Sequence, residues 1–61
     1  SWRLSMKPGD LVYCKGGLPE YDRTGIVLKD NQEGGTVKIY DIKSQVVKWM
    51  MRSACKVLNE H

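Results

Sequence analysis

The fold is decided by the stretch GIVLKDNQEGGTVKIY, residues 25–40. Both ends of this stretch are rich in β-branched and aromatic residues, which favour β-strands. Its middle, residues 30–35, carries the strongest turn signal in the chain, because a double glycine adopts the positive φ angles that a hairpin with a bulge requires. The stretch therefore predicts a β-hairpin with strands at residues 25–29 and 36–40.

Short strands and turns continue on both sides of this hairpin. Before it, Pro8 and Gly9 precede a strand at residues 11–15, and residues 16–24 predict a long loop, where small scaffolds tend to carry binding residues. After it, strands are predicted at residues 46–51 and 55–58, with a single 3₁₀ turn at residues 52–54 between them. The pattern predicts an all-β domain whose five strands close into a small barrel.

The alternation of side chains along each strand predicts which residues share a face. Val37 and Ile39 are expected on the core side of the third strand. We expect Trp49 of the fourth strand to fill the core beside them. Lys38 and Lys48 are then expected together on the opposite, wetter face, where their ammonium groups would form a stripe that follows a phosphate backbone.

The composition places the chain among small globular domains. Its 61 residues suffice for one domain, and 41% of them are apolar. No run approaches the roughly 20 apolar residues of a membrane span, and no secretory leader is recognisable, so a cytoplasmic protein without membrane contact is expected. Ten Lys and Arg residues against seven Asp and Glu residues give a net charge of +3, a mild bias that helps approach to a polyanion.

The ends of the chain lack the strand pattern. Residues 1–5 precede Met6, which has the position of a natural initiator, and they are interpreted either as vector-derived residues or as an upstream linker. The barrel is expected at residues 6–59. Residues 60–61 are expected to form a polar tail.

No catalytic pattern is present in the sequence. The only histidine, His61, is the terminal residue, and Ser44 and Ser53 lack the setting of an activated nucleophile. Glu20 and Asp22 share one exposed loop, in which carboxylates stay solvated. One histidine and two cysteines do not complete the usual ligand sets of zinc. The sequence therefore predicts no enzyme, no cofactor and no metal.

Four pieces of the sequence resemble one family of small barrels. They are Lys7-Pro8-Gly9-Asp10-Leu11-Val12, Thr24-Gly25-Ile26-Val27, Val37-Lys38-Ile39-Tyr40-Asp41 and Lys48-Trp49-Met50. In these pieces the chain resembles SH3-like β-barrels of the KOW and Tudor type, and it is similar to small uncharacterised bacteriophage proteins. The resemblance implies an SH3-like barrel over residues 6–59, and a viral, phage-encoded protein of the host cytoplasm that binds a partner. It names no ligand, because a full Tudor cage and a KOW-type glycine signature are missing.

The same resemblance has a consequence for the two cysteines. In an SH3-like barrel the first and fifth strands run side by side, which implies that Cys14 and Cys55 lie on neighbouring segments. A bridge between them would close a long loop and stabilise the fold by about 3–4 kcal/mol. Because a reducing cytoplasm keeps thiols free, we expect two partly buried free thiols instead.

Two functions are compatible with this pattern. The leading hypothesis is a non-enzymatic binding or assembly module with an unknown protein or nucleic acid as its partner. The alternative is a nucleic-acid-binding protein that uses a basic and aromatic barrel face, since aromatic rings stack on bases and cations contact phosphates. Its candidate binding residues are Tyr21, Arg23, Lys38, Tyr40, Lys48 and Arg52. Lysines on an exposed sheet also serve simply to prevent aggregation.

A homodimer is a further expectation. Met50 and Met51, together with Val46, offer an apolar patch. Pairing over this patch would add the burial that so short a chain lacks. The opposing interpretation is that the methionines fill gaps in the core.

Overall fold

Five antiparallel strands form one sheet in the computed structural model of the protein, which describes residues 6–59. The strands are β1 (Leu11–Cys14), β2 (Arg23–Asn31), β3 (Thr36–Asp41), β4 (Val46–Met51) and β5 (Cys55–Val57). Their order across the sheet is β4-β3-β2-β1-β5. The interpretations of residues 1–5 and 60–61 lie outside the described residues.

The all-β fold and the position of every strand confirm the prediction, but the barrel is not closed. The strand β4 and the 3₁₀ turn Arg52–Ala54 have the predicted bounds, and β2 is longer than predicted at both ends. A second 3₁₀ turn, Pro19–Tyr21, lies in the first loop, where proline fixes the φ angle that the turn requires. Within residues 6–59 the strands β4 and β5 remain the two edges of the sheet. No helix in this range is long and apolar enough to cross a membrane.

The core lies on one face of the sheet. Its members are fully buried, and the pairing register puts them on the same side, which we call the core face; they are Val12, Cys14, Val27, Val37 and Ile39. Met6, Met50, Cys55 and Val57 pack against this cluster. The opposite side, which we call the outer face, carries the alternate residues of each strand.

A β-bulge in β2 decides which side chains reach the core face. Val27 opposes Ile39 of β3, and Lys29 opposes Lys38, so that Leu28 is an extra residue between two regular pairs. Strict alternation from Val27 would have directed Lys29 inwards. Because the bulge adds one residue to β2, Lys29 lies on the outer face, and Asp30, which opposes Val37, lies on the core face.

The predicted faces of β4 are wrong. In the β3–β4 hairpin Lys38 opposes Trp49, and Ile39 opposes Lys48. Lys38 and Lys48 therefore lie on opposite faces, and Trp49 is on the outer face with 53% of its surface exposed instead of in the core. The physical reason is the length of the turn at residues 42–45. This turn brings Asp41 opposite Val46, so that each even-numbered residue of β3 opposes an odd-numbered residue of β4.

The two cysteines lie on neighbouring strands, as predicted, but the prediction of free thiols is wrong. Cys14 opposes Cys55 with a Cα–Cα distance of 4.0 Å, and the two form a disulfide. Backbone hydrogen bonds from Lys15 to Ala54 and from Leu58 to Leu11 lie on either side of this pair. The alternation of an antiparallel ladder makes Cys14 and Cys55 a non-hydrogen-bonded pair, in which the Cα atoms approach most closely. The expectation of free thiols came from the assumed compartment.

Candidate binding surface

An apolar row crosses the outer face from one edge of the sheet to the other. It is formed by directly opposed side chains of successive strands, Val47, Tyr40, Ile26 and Leu11, and it ends at Leu58. The N–H of Leu58 donates to the carbonyl of Leu11 at 2.8 Å, which continues the ladder by one residue beyond β5. Val47, Tyr40 and Leu58 are exposed, while Ile26 and Leu11 are half-buried. A continuous apolar strip of this kind on a sheet surface is typical of an interaction site.

Lysines flank the apolar row. Lys29 and Lys38 oppose each other on β2 and β3, and Lys56 lies on β5 opposite Tyr13. Like charges that oppose each other destabilise a sheet, so the pair of Lys29 and Lys38 would be relieved by an anion. The ammonium group of Lys38 lies 6.0 Å from the centre of the Trp49 ring, within the range of a cation–π contact.

Carboxylates leave this positive charge largely uncompensated. Among the described residues, the carboxylate bonded to an outer-face side chain is Asp22, which accepts a hydrogen bond from the Tyr13 hydroxyl. That bond, followed by one from the Gly16 N–H, lowers the pKa of Asp22 below its ordinary value, and it raises the pKa of Tyr13. Asp22 therefore carries a negative charge, but its oxygens already accept hydrogen bonds from the Tyr13 hydroxyl and the Gly16 N–H. Lys38 and the other two outer-face lysines have no ion pair within residues 6–59.

Arg52 is engaged in a partly buried ion pair and is not part of the outer face. Its Nε donates to Oδ1 of Asp30 at 2.6 Å, and its Nη2 donates to Oδ2 at 3.3 Å. The backbone N–H of Met6 also donates to Asp30, at 3.0 Å. Burial by itself would raise the pKa of Asp30, but the hydrogen bonds from Arg52 and Met6 outweigh burial and hold this pKa below its ordinary value.

Arg23 is engaged in a second ion pair on the core face. Its guanidinium donates to Asp41, whose side chain is only 4% exposed. The backbone N–H of Lys43 donates to the same carboxylate at 3.0 Å. Burial would raise the pKa of Asp41, but the hydrogen bonds from Arg23, Ser44 and Lys43 outweigh it and lower this pKa to about 2.

Acid is expected to lower the stability of the protein between about pH 4 and pH 2. Asp30 and Asp41 have lower pKa values folded than unfolded, so their bonds contribute fully only above the ordinary pKa of 3.8, and this contribution is lost as the pH falls towards about 2. Melting temperatures followed by circular dichroism from pH 7 to pH 2 check this. The variant Glu20→Gln, which removes an exposed acid, should keep the same profile. A melting temperature that stayed constant down to pH 2 would contradict the expectation.

A cleft of about 590 Å³ lies between the first loop and the β3–β4 turn. Its lining includes Glu20, Asp22 and Asp41, of which the latter two are already hydrogen-bonded to Tyr13 and Arg23. In the described part of the chain, no three His, Cys, Asp or Glu side chains are grouped so as to hold a metal ion. The Asp22 and Asp41 side chains of this cleft therefore stabilise the fold.

The six binding residues predicted from the sequence do not lie on one surface of the structure. The structure brings Lys38 and Tyr40 together on the outer face, and it leaves Lys48 exposed on the other side of the sheet. Tyr21 is exposed in the 3₁₀ turn of the first loop, and the two arginines are engaged in partly buried ion pairs. The sequence interpretation missed the outer-face side chains that the pairing register brings beside this pair; they are Trp49, Lys29 and Lys56, with the apolar residues of the row.

Comparison with known proteins adds no relative to this description. No protein-family model, curated protein or solved structure matches the chain. The likeness to KOW and Tudor modules and to bacteriophage proteins therefore remains a prediction from the sequence. What the structure establishes is a small antiparallel β-fold with five strands.

Proposed function

We propose that the protein is a non-enzymatic binding module of SH3-like architecture, and that its outer face contacts the partner. The strand order, the long first loop and the 3₁₀ turn before β5 are the arrangement expected of that architecture. A phage origin and a place in the host cytoplasm remain predictions from the sequence resemblance.

The observation that carries this proposal is the exposure of large apolar side chains on the outer face. Trp49 is half exposed on β4 and stands beside the apolar row at Val47 and Tyr40. A small domain has few apolar residues to form its core, and this one leaves its only described tryptophan outside that core. Tryptophan and tyrosine are the side chains that most often dominate binding surfaces.

Single-stranded nucleic acid is the partner that the charges favour. Lys29, Lys38 and Lys56 supply positive charge on the same face as the rings of Trp49 and Tyr40. Proteins that bind single strands combine such charges, which contact phosphates, with aromatic rings that stack on bases. The set differs from the one that the sequence predicted, because lysines of the outer face replace the two arginines and Lys48.

Binding to a fluorescent single-stranded oligonucleotide is expected to weaken with salt. Each phosphate contact adds about 0.7 to the slope of log K against log salt, so three lysines give a slope of about −2. The double variant Lys29→Glu/Lys38→Glu leaves one of the three lysines, so the slope should fall to about −0.7. Trp49→Ala should weaken binding by about 5- to 150-fold through lost stacking. Fluorescence anisotropy measures both effects.

The matched control is Lys7→Glu/Lys43→Glu, which makes the same charge change at exposed positions outside the outer face. It should bind nearly as well as the unaltered protein. At a protein concentration too low for self-association, the melting temperature of Trp49→Ala should stay close to that of the unaltered protein, because a half-exposed side chain contributes little to stability. Absence of binding at low salt would remove the nucleic-acid proposal. A large loss of stability in Trp49→Ala would instead mean that the outer face is structural.

A further inference from the structure

The two edges of the sheet differ in how they are protected against pairing with another strand. The edge strand β5 has three residues and is joined to β1 by the disulfide. The edge strand β4 has six residues, contains no proline, and pairs with β3 without a bulge. Lys48 is its one charged residue. A long, regular and mostly apolar edge is a template for a further strand.

The alternation of hydrogen-bonded and non-bonded pairs between β3 and β4 shows which backbone groups of β4 point outwards. The N–H of Arg52 donates to the carbonyl of Gly35 at 3.0 Å, so the opposed pair of residues 35 and 52 is a hydrogen-bonded pair. Hydrogen-bonded and non-bonded pairs alternate along an antiparallel ladder. Val47, Trp49 and Met51 therefore belong to non-bonded pairs, so the N–H and C=O groups of Val47 and Trp49 and the N–H of Met51 are directed away from β3, towards the open edge. The C=O of Met51 instead faces the chain's own 3₁₀ turn, whose first bond it accepts, and lies 3.4 Å from Cys55 Sγ.

We propose that β4 pairs antiparallel with β4 of a second copy of the chain, about a two-fold axis that passes through Trp49. Only residues whose backbone groups point outwards can form the new bonds. In this register Trp49 opposes Trp49 of the second copy, and Val47 opposes Met51 of the second copy. The Trp49 pair then forms two bonds on the axis, and the N–H of Met51 in each copy donates to the C=O of Val47 in the other.

Charge selects this register over its neighbours. With Trp49 on the axis, Lys48 opposes Met50 of the second copy. A shift by one bonding step towards the start of the strand would place Lys48 against Lys48, and opposed like charges destabilise a sheet. A shift the other way would leave only residues 49–51 of β4 overlapping. The Trp49 register combines a long overlap with the absence of a like-charge pair.

The side chains at this contact are apolar on the outer face and remain exposed in the single chain. Met51 is 61% exposed, and Val47 and Trp49 are about half exposed. An aromatic pair across strands is a stabilising contact. Lys38 of each copy would lie about three strand spacings from its counterpart, roughly 14 Å, which exceeds the Debye length at physiological salt. The two-fold axis is perpendicular to the sheet, so both outer faces point the same way.

Sedimentation velocity of the full chain tests the dimer. The protein concentration is varied from about 10 to about 500 micromolar, because the population of a dimer depends on concentration. The mass is expected to approach twice the 7.0 kDa of one chain. Trp49→Pro should return it to the mass of one chain, because the N–H of Trp49 serves only the intermolecular contact at the axis and its loss breaks no β3–β4 bond. A mass of one chain at every concentration for the unaltered protein would overturn the proposal.

The register is tested by two double variants that lose the same apolar contacts. Val47→Glu/Met51→Lys places opposite charges against each other across the two-fold axis, whereas Val47→Glu/Met51→Glu places like charges there. We expect the second variant to have a dissociation constant about 100-fold larger than the first, from two cross-strand pairs of opposite sign. Circular dichroism establishes that both variants are folded. Equal dissociation constants for the two folded variants would overturn the register, and with it the inferred axis.

Discussion

Replacing both Cys14 and Cys55 by serine is expected to lower the free energy of unfolding by about 4 kcal/mol, the chain-entropy value for a closed loop of this length. The bond joins residues 41 positions apart. A domain of this size has a total stability of roughly 3–9 kcal/mol. The bond therefore accounts for a large part of what keeps the fold together, and the measurement is urea unfolding of the oxidised protein beside the double variant.

Reductant provides the control for this experiment. It should lower the urea midpoint of the unaltered protein towards that of Cys14→Ser/Cys55→Ser, and it should leave the midpoint of the double variant unchanged. Among the single variants, Cys14→Ser should be less stable than Cys55→Ser, because Cys14 is fully buried and Cys55 only partly so. Equal midpoints for the oxidised protein and the double variant would show that the bond does not stabilise the fold.

Removing Arg52 alone is expected to cost about 1–3 kcal/mol, less than for a fully buried ion pair because the Arg52 side chain is partly exposed to solvent. The side chain of Asp30 is 8% exposed, and Arg52 is its charged partner with two hydrogen bonds. In Arg52→Ala the carboxylate would keep a bond from the Met6 N–H but no positive charge. Chemical unfolding of the variant measures the loss.

Two further variants separate the lost ion pair from lost packing. Asp30→Leu/Arg52→Met replaces both partners by apolar groups of similar size, and it should be more stable than Arg52→Ala, since no charge remains buried. Lys43→Ala removes an exposed positive charge and should change stability by less than about 0.5 kcal/mol. If Arg52→Ala lost no more than Lys43→Ala, the ion pair would not contribute to the fold.

The strands were predictable because their signals are local. Gly34 and Gly35 mark the β2–β3 turn, and the alternation from Val46 to Met51 defines β4 with its observed bounds. Turn residues and alternation act over a few neighbouring positions, and this is the range over which a single sequence is informative.

The candidate site was less predictable because it depends on which residues oppose each other. Alternation assigned Trp49 and Lys48 to the two sides of β4, but it could not state which side faced the core, since that depends on the β3–β4 register. Arg23 and Arg52 looked available because their partners are 18 and 22 positions away in the chain. Lysines on separate strands become one surface only after the strands are ordered.

Leu28 gives the hairpin a particular tolerance to changes in chain length. Because the pairs on either side of it, Val27 with Ile39 and Lys29 with Lys38, are those of an uninterrupted ladder, Leu28 behaves as a one-residue insertion. Its deletion would preserve every cross-strand partner, and the strand would lose the local bend that a bulge produces. A deletion at Val37 or Lys38 of β3, which pairs with β4 without a bulge, would instead shift residues between the inside and the outside of the domain. Related chains that differ by one residue at this point would therefore retain the same two faces.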